Sequence, residues 1–200
     1  DHDEVDDHED AEQDEADDVV ALDHEVAEGL DDMTDSEDQG ALKMTGLFES
    51  LQLGEIALAN RVVMAPMTRS RADAEAVPTP VMIEYYRQRA SAGLIVSEGI
   101  GPSRHGIGYC RTPGIYTARQ VEVWRQVTDA VHEAGGRIVA QLMHCGRAAS
   151  RFNKAVDAET VAPSAVQAAG RIFTDAAGMQ DFDFPRALSL GEIPGVIGEY

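Results

Sequence analysis

Leu94-Ile-Val-Ser-Glu-Gly99 and Arg137-Ile-Val-Ala-Gln-Leu-Met143 are the stretches whose reading decides the fold. Each is a short apolar run that ends on polar residues, the pattern of a strand buried on both faces. Between them lies Thr117–Ala134, where Val121, Trp124, Val127, Thr128 and Val131 recur on one helical face and Gly135-Gly136 ends the run. Upstream, Arg61-Val-Val-Met-Ala65 is a third apolar run, closed by Pro66. Pro80–Ala92 reads as the helix that follows it, with Pro80 in the first turn and Gly93 as the stop. Leu51–Asn60 alternates around Gly54, a hairpin turn. Ala148–Pro185 reads as one long irregular stretch, and a last helix opens near Leu190 and runs to Tyr200.

Strands that alternate with helices imply an α/β protein with a parallel sheet. Two architectures compete, a doubly wound sheet and a (β/α)8 barrel. Thr68 follows the first strand, Glu98-Gly99 closes the second, and Gln141 and His144 close the third. Polar residues at successive carboxyl ends are where barrel active sites lie, although open sheets also bind ligands at that edge. A dinucleotide-binding loop does not fit. Gly99-Ile-Gly101 follows a strand, but Arg104 occupies the third glycine position and no helix starts there.

The net charge of −20 is concentrated at one end. Residues 1–43 carry 20 Asp and Glu against Lys43 alone, whereas residues 44–200 carry 16 acidic and 15 basic side chains. Such a leader cannot bury enough apolar surface to offset chain entropy and reads as disordered. Val19, Leu22, Val26, Leu30 and Met33 fall at helical spacing within it, opposed by Gly29 and by repulsion among the acidic residues. An EF-hand register starting at Asp35 fails, because position 12 is Gly46. No metal site is expected. The domain boundary falls at residue 43, with 44–200 as the globular part. No excess of positive charge favours nucleic acid or an anionic membrane. Two cysteines, Cys110 and Cys145, make no disulfide framework, and no apolar run reaches the ~18 residues of a spanning helix. These features, and an acidic rather than basic N-terminus, predict a cytoplasmic protein.

Five ordered motifs carry a resemblance. They are Arg61-Val-Val-Met-Ala-Pro-Met-Thr-Arg-Ser-Arg71, Ser97-Glu-Gly99, Thr112-Pro-Gly-Ile-Tyr-Thr117, Gly136-Arg-Ile-Val-Ala-Gln-Leu-Met-His-Cys-Gly-Arg147 and Pro185-Arg-Ala-Leu188. Over residues 46–200 the chain resembles the Old Yellow Enzyme family of FMN-dependent NAD(P)H oxidoreductases. The resemblance implies a (β/α)8 TIM barrel, of which this chain carries the first three βα units. It implies hydride transfer from NADPH or NADH through FMN to a small-molecule alkene activated by a carbonyl or nitro group. For the cofactor it implies backbone contacts from Ala65, Pro66 and Met67 along the flavin ring, and a Thr68 hydroxyl at the flavin O4 edge. It further implies close backbone approach at Gly99 and a Gln141 amide at the pyrimidine edge. Thr68, where other branches carry cysteine, is similar to the branch of N-ethylmaleimide and pentaerythritol tetranitrate reductases. Met143 stands in the substrate pocket where many relatives carry Trp. These residue types suit the ligand: an amide donates and accepts at once, and donors near the oxygen edge stabilise the charge that builds on reduction.

The resemblance places the proton-donating Tyr and the substrate-anchoring His pair beyond Tyr200, so no catalytic residue is assigned within the chain. Three strands of an unclosed barrel leave two edges and an apolar face uncovered, which predicts poor folding of 44–200 alone. Alternatives to a working reductase are a catalytically silent fragment or pseudoenzyme, or an interaction protein acting through the acidic leader. His144 reads as a loop-holding residue, Cys145 as a small buried hydrophobe and Cys110 as a loop thiol. Tyr85, Tyr86 and Trp124 read as core.

Overall fold

The computed structural model describes residues 46–200. The leader 1–43, with its helical spacing at 19–33, lies outside the described residues. The chain first makes a hairpin, β1 (Leu51–Leu53) and β2 (Ile56–Leu58), turning at Gly54 in the left-handed region as expected. β3 (Val63–Met64), β4 (Leu94–Ile100) and β5 (Ile138–Leu142) then form a parallel sheet in the order β3-β4-β5. Helix α1 (Pro80–Arg87) joins β3 to β4, and α2 (Ala118–Glu133) joins β4 to β5. Both helices pack on one face of the sheet. Val63 on the first strand remains half exposed, and β3 and β5 are the outer strands of the sheet.

The core lies between sheet and helices. Met82 and Tyr86 of α1, Ile95 and Ile100 of β4, and Trp124, Val127 and Val131 of α2 are all nearly inaccessible to solvent. The helical face of α2 differs at two positions from the one the spacing predicts: Gln120 and Val123 are buried, and Val121 and Thr128 only half buried. Gln120, Val123, Trp124, Val127 and Val131 form a single stripe at spacings of three and four. Gln120 enters this stripe because it completes a capping box. Thr117 Oγ1 accepts from the Gln120 N–H at 3.2 Å, and Gln120 Oε1 accepts from the Thr117 N–H at 3.0 Å. The amide nitrogen of Gln120 also donates to the Glu75 carbonyl at 2.9 Å, tying the helix start to the loop after β3.

Trp124 donates its indole N–H to the Gly114 carbonyl at 3.1 Å, deep in the core. The Thr112–Thr117 motif is thereby held against the end of β4, where the Gly101 N–H donates to the Pro113 carbonyl and the Gly101 carbonyl accepts from the Ile115 N–H. Replacing Trp124 with Phe strands the Gly114 carbonyl and removes ring area. A loss of about 2 kcal/mol is expected in urea denaturation, since an unpaired buried group costs ~1–3 kcal/mol. An unchanged midpoint would show that the bond contributes nothing.

Three boundaries differ from the sequence reading. The helix expected over 80–92 ends at Arg87, and the chain continues in tighter turns, with Arg89, Ala90 and Ala92 donating to the carbonyls three residues earlier. The stretch 148–185 is not irregular throughout. It contains a short 3-10 turn at Arg151–Asn153, β6 (Val161–Ala162), and a hairpin of β7 (Arg171–Thr174) and β8 (Gly178–Asp181) that turns at left-handed Gly178. β9 (Arg186–Ala187) pairs in parallel with β6. The last helix, α3, spans only Ile193–Gly198 and stops before Tyr200. Strands of two to four residues leave too short a pattern for periodicity to register.

Candidate functional site

The carboxyl edge of the parallel sheet gathers the residues singled out from the sequence. Met64 pairs with Ile95, so Ala65 leaves the sheet beside the middle of β4, and Ala65–Thr68 runs exposed across that edge. Gly99 of β4 lies directly opposite Gln141 of β5. Paired residues share a face, so the Gln141 side chain and the bare backbone of Gly99 look the same way, away from α1 and α2. Neither the Thr68 hydroxyl nor the Gln141 side-chain amide bonds another described residue, whereas the Gln141 backbone N–H is held at 3.0 Å by Ser97 Oγ. A hydroxyl, an amide and an exposed backbone segment are thus left with their hydrogen-bonding capacity unspent at one edge.

Met143 follows β5, and its own N–H donates to the Ile100 carbonyl at 2.9 Å. Its thioether lies over Gly99: a Cβ at that glycine would sit 2.4 Å from Met143 Cε and 2.8 Å from Sδ. The glycine that the sequence reserves for close approach is here approached by the side chain just past the next strand. Met143 and Gly99 are therefore packed against each other.

The ladder between β4 and β5 shifts register between Val96 and Gly99. The bulge turns both Ser97 and Glu98 into the interior, each 1% exposed. The sequence predicts Glu98 at the carboxyl edge, and its direction differs. Its carboxylate points behind the sheet, where Oε2 accepts from the Arg69 N–H at 3.3 Å and Oε1 from the Tyr86 hydroxyl at 3.2 Å. Tyr86 Oη in turn accepts from the Glu98 N–H at 2.8 Å. Burial pushes the Glu98 carboxyl above the ordinary carboxylate range, and burial together with Glu98 raises the Tyr86 phenol. The signal in the sequence was a carboxylate inside an otherwise apolar strand.

His144 Nδ1 accepts from the Gly146 N–H at 3.0 Å, while Nε2 is buried without a partner among the described residues. Burial lowers the His144 pKa, with nearby Lys154 adding to the effect, so the ring is neutral near pH 7. Burial also raises the Cys145 thiol, which makes it a poor nucleophile. Cys110 and Cys145 are both free. Tyr86 and Trp124 belong to the core as read, and Tyr85 is half buried beside them. Among the described residues no group of three or more His, Cys, Asp or Glu could hold a metal ion, and no helix is long and apolar enough to cross a membrane.

The carboxyl edge of a parallel βα sheet is where α/β proteins bind their ligands, and here it carries a hydroxyl, an amide and free backbone. Residues 46–200 match the model of the NADH:flavin oxidoreductase / NADH oxidase family. The Old Yellow Enzyme homologue of Zymomonas mobilis superposes with a TM-score of 0.74 at 47% identity, over 78% of this chain and 43% of that one. Morphinone reductase superposes with a TM-score of 0.74 at 43% identity, over 80% and 44% respectively. In sequence, 12-oxophytodienoate reductase 7 of Oryza sativa is 38% identical over 82% of this chain and 42% of its own length. The chain belongs to this flavin oxidoreductase family, whose Old Yellow Enzyme members the sequence motifs had pointed to. The family is FMN-dependent, and one solved morphinone reductase structure carries tetrahydroNAD. The chain spans about two fifths of the length of the curated relatives it matches.

Proposed function

We propose that this chain contributes the flavin-facing N-terminal portion of an FMN-dependent ene-reductase built on a (β/α)8 barrel. Residues 44–200 are its first three βα units, and 1–43 form an acidic leader outside that portion. The observation that carries the reading is the pairing of Gly99 with Gln141 at the same sheet edge that the exposed segment Ala65–Thr68 leaves. The donor set suits FMN. Ala65, Pro66 and Met67 would line the ring with backbone, Thr68 would donate to the oxygen edge, and Gln141 would both donate and accept at the pyrimidine edge. Bound FMN supplies hydride exchange with NADPH or NADH and with a small activated alkene. The chain's own part is to hold, orient and tune that group. Met143, packed over Gly99, borders the space in which a substrate would lie.

The test is the visible spectrum of the purified protein. Flavin absorption that NADPH or NADH bleaches under anaerobic conditions supports the proposal. A folded, colourless protein that takes up no added FMN would favour a catalytically silent role. In the flavin-loaded protein, Thr68→Ala is expected to lower the reduction potential and slow reduction, because a donor to the charge-bearing edge is lost. A potential equal to that of the parent would reduce Thr68 to a turn residue.

A further inference from the structure

We propose that Glu98 is a positioning residue for the flavin-facing segment: from behind the sheet it fixes Ala65–Arg69 to helix α1 through Tyr86. This rests on the assignment of Ala65–Thr68 and Gln141 to the cofactor. Three observations on different parts of the chain converge on it.

The first is the bulge. The register shift at Ser97-Glu98 gives two consecutive residues to the interior, and each fastens a different neighbour. Ser97 Oγ holds the Gln141 N–H at 3.0 Å, on one side of β4. Glu98 Oε2 holds the Arg69 N–H at 3.3 Å, on the other. One tripeptide, Ser97-Glu98-Gly99, thus sets the spacing between the two groups of cofactor-facing atoms.

The second is the cost of the residue. A carboxylate 1% exposed in an apolar core is unfavourable unless each oxygen finds a donor. Both oxygens do, and Tyr86 Oη, itself fully buried, closes the network by accepting from the Glu98 N–H. An apolar side chain would fill the same space with no such demand, so burial alone does not account for a carboxylate here.

The third is a second tie on the same segment. The guanidinium of Arg69 lies 5.4 Å from the centre of the Tyr85 ring, which Arg89 covers from 3.8 Å. Tyr85 therefore meets the Arg69 side chain directly, whereas Tyr86 reaches the Arg69 backbone only through Glu98. Ala65–Thr68, which spends no hydrogen bond on other described residues outside the β3–β4 ladder, is held from its far end.

The variants Glu98→Gln and Tyr86→Phe, each in the full-length protein, test the proposal by hydrogen exchange and by FMN titration. Gln keeps the volume but offers one acceptor where Glu offers two, and Phe removes the hydroxyl alone. Each variant is expected to speed exchange of the Arg69 amide about tenfold and to weaken FMN binding about tenfold, with amides of residues 138–140 unchanged. The double variant is expected to be no worse than the poorer single, because both break one network. Unchanged exchange at Arg69 would overturn the proposal. So would a uniform rise through β4 and β5, which marks a merely structural role, or additive losses in the double variant. If Gln141→Leu retains FMN at parental affinity, the cofactor assignment fails whatever Arg69 exchange reports. If Gln141→Leu loses FMN while Arg69 stays protected in both variants, only the positioning role fails.

Discussion

Gly93→Ala is expected to cause the largest loss of stability of any single methyl group added to this chain. Its Cβ would sit 2.0 Å from the Asn60 carbonyl oxygen and 2.9 Å from the carbon, both backbone atoms that cannot turn aside. Asn60 also joins the start of β3 to the start of β4. Its Oδ1 accepts from the Gly93 N–H at 2.8 Å and from the Val62 N–H at 3.0 Å, and its Nδ2 donates to the Ser91 carbonyl at 2.9 Å. Moving Asn60 away to admit the methyl would break all three bonds and the Leu94 to Val62 backbone bond beside them. A loss of roughly 4 kcal/mol or more, and a fall in melting temperature of about 10 °C or more, is expected by circular dichroism. Gly191→Ala, whose Cβ meets nothing within 4 Å, is the matched control and is expected to melt with the parent. Equal melting of Gly93→Ala and the control would refute the close-approach account.

Gln141→Leu is expected to have the largest effect on the cofactor. The side-chain amide bonds no other described residue, so its removal leaves the fold as stable as before. It would instead leave polar atoms of the flavin edge facing a hydrocarbon. Losing one such partner costs ~1–3 kcal/mol, which corresponds to roughly 10- to 100-fold weaker FMN retention. Fluorescence titration and dialysis read this directly, with the melting curve of the flavin-free protein as control. Undiminished retention would remove Gln141 from the site.

These two residues differ in how far the sequence exposes their roles. Gln141 ends an apolar strand, and a polar residue at a carboxyl end is visible in one dimension. Gly93 was read as a helix stop, yet the helix ends at Arg87 and Gly93 is not in the left-handed conformation. Its need for glycine comes from Asn60, 33 residues away. Glu98 is similar. Strict alternation would send it and Ser97 to opposite faces, and the bulge sends both inward. The hairpin β7–β8 leaves no periodic signal in the sequence because its strands span four residues each. Val121 and Thr128 flank the buried stripe of α2, in which Trp124 meets Tyr86 at a ring separation of 6.1 Å.

By itself the sequence determined the alternation of strands and helices, the turn at Gly54, the limits of α2 to within a residue, and the family, since these rest on local periodicity and on the order of short motifs. Only the tertiary structure decided where Glu98 points, why Gly93 must lack a side chain, and that Met143 covers Gly99. Those outcomes depend on the register between strands some 40 residues apart in the chain, and one residue of slip in that register exchanges the two faces of a sheet.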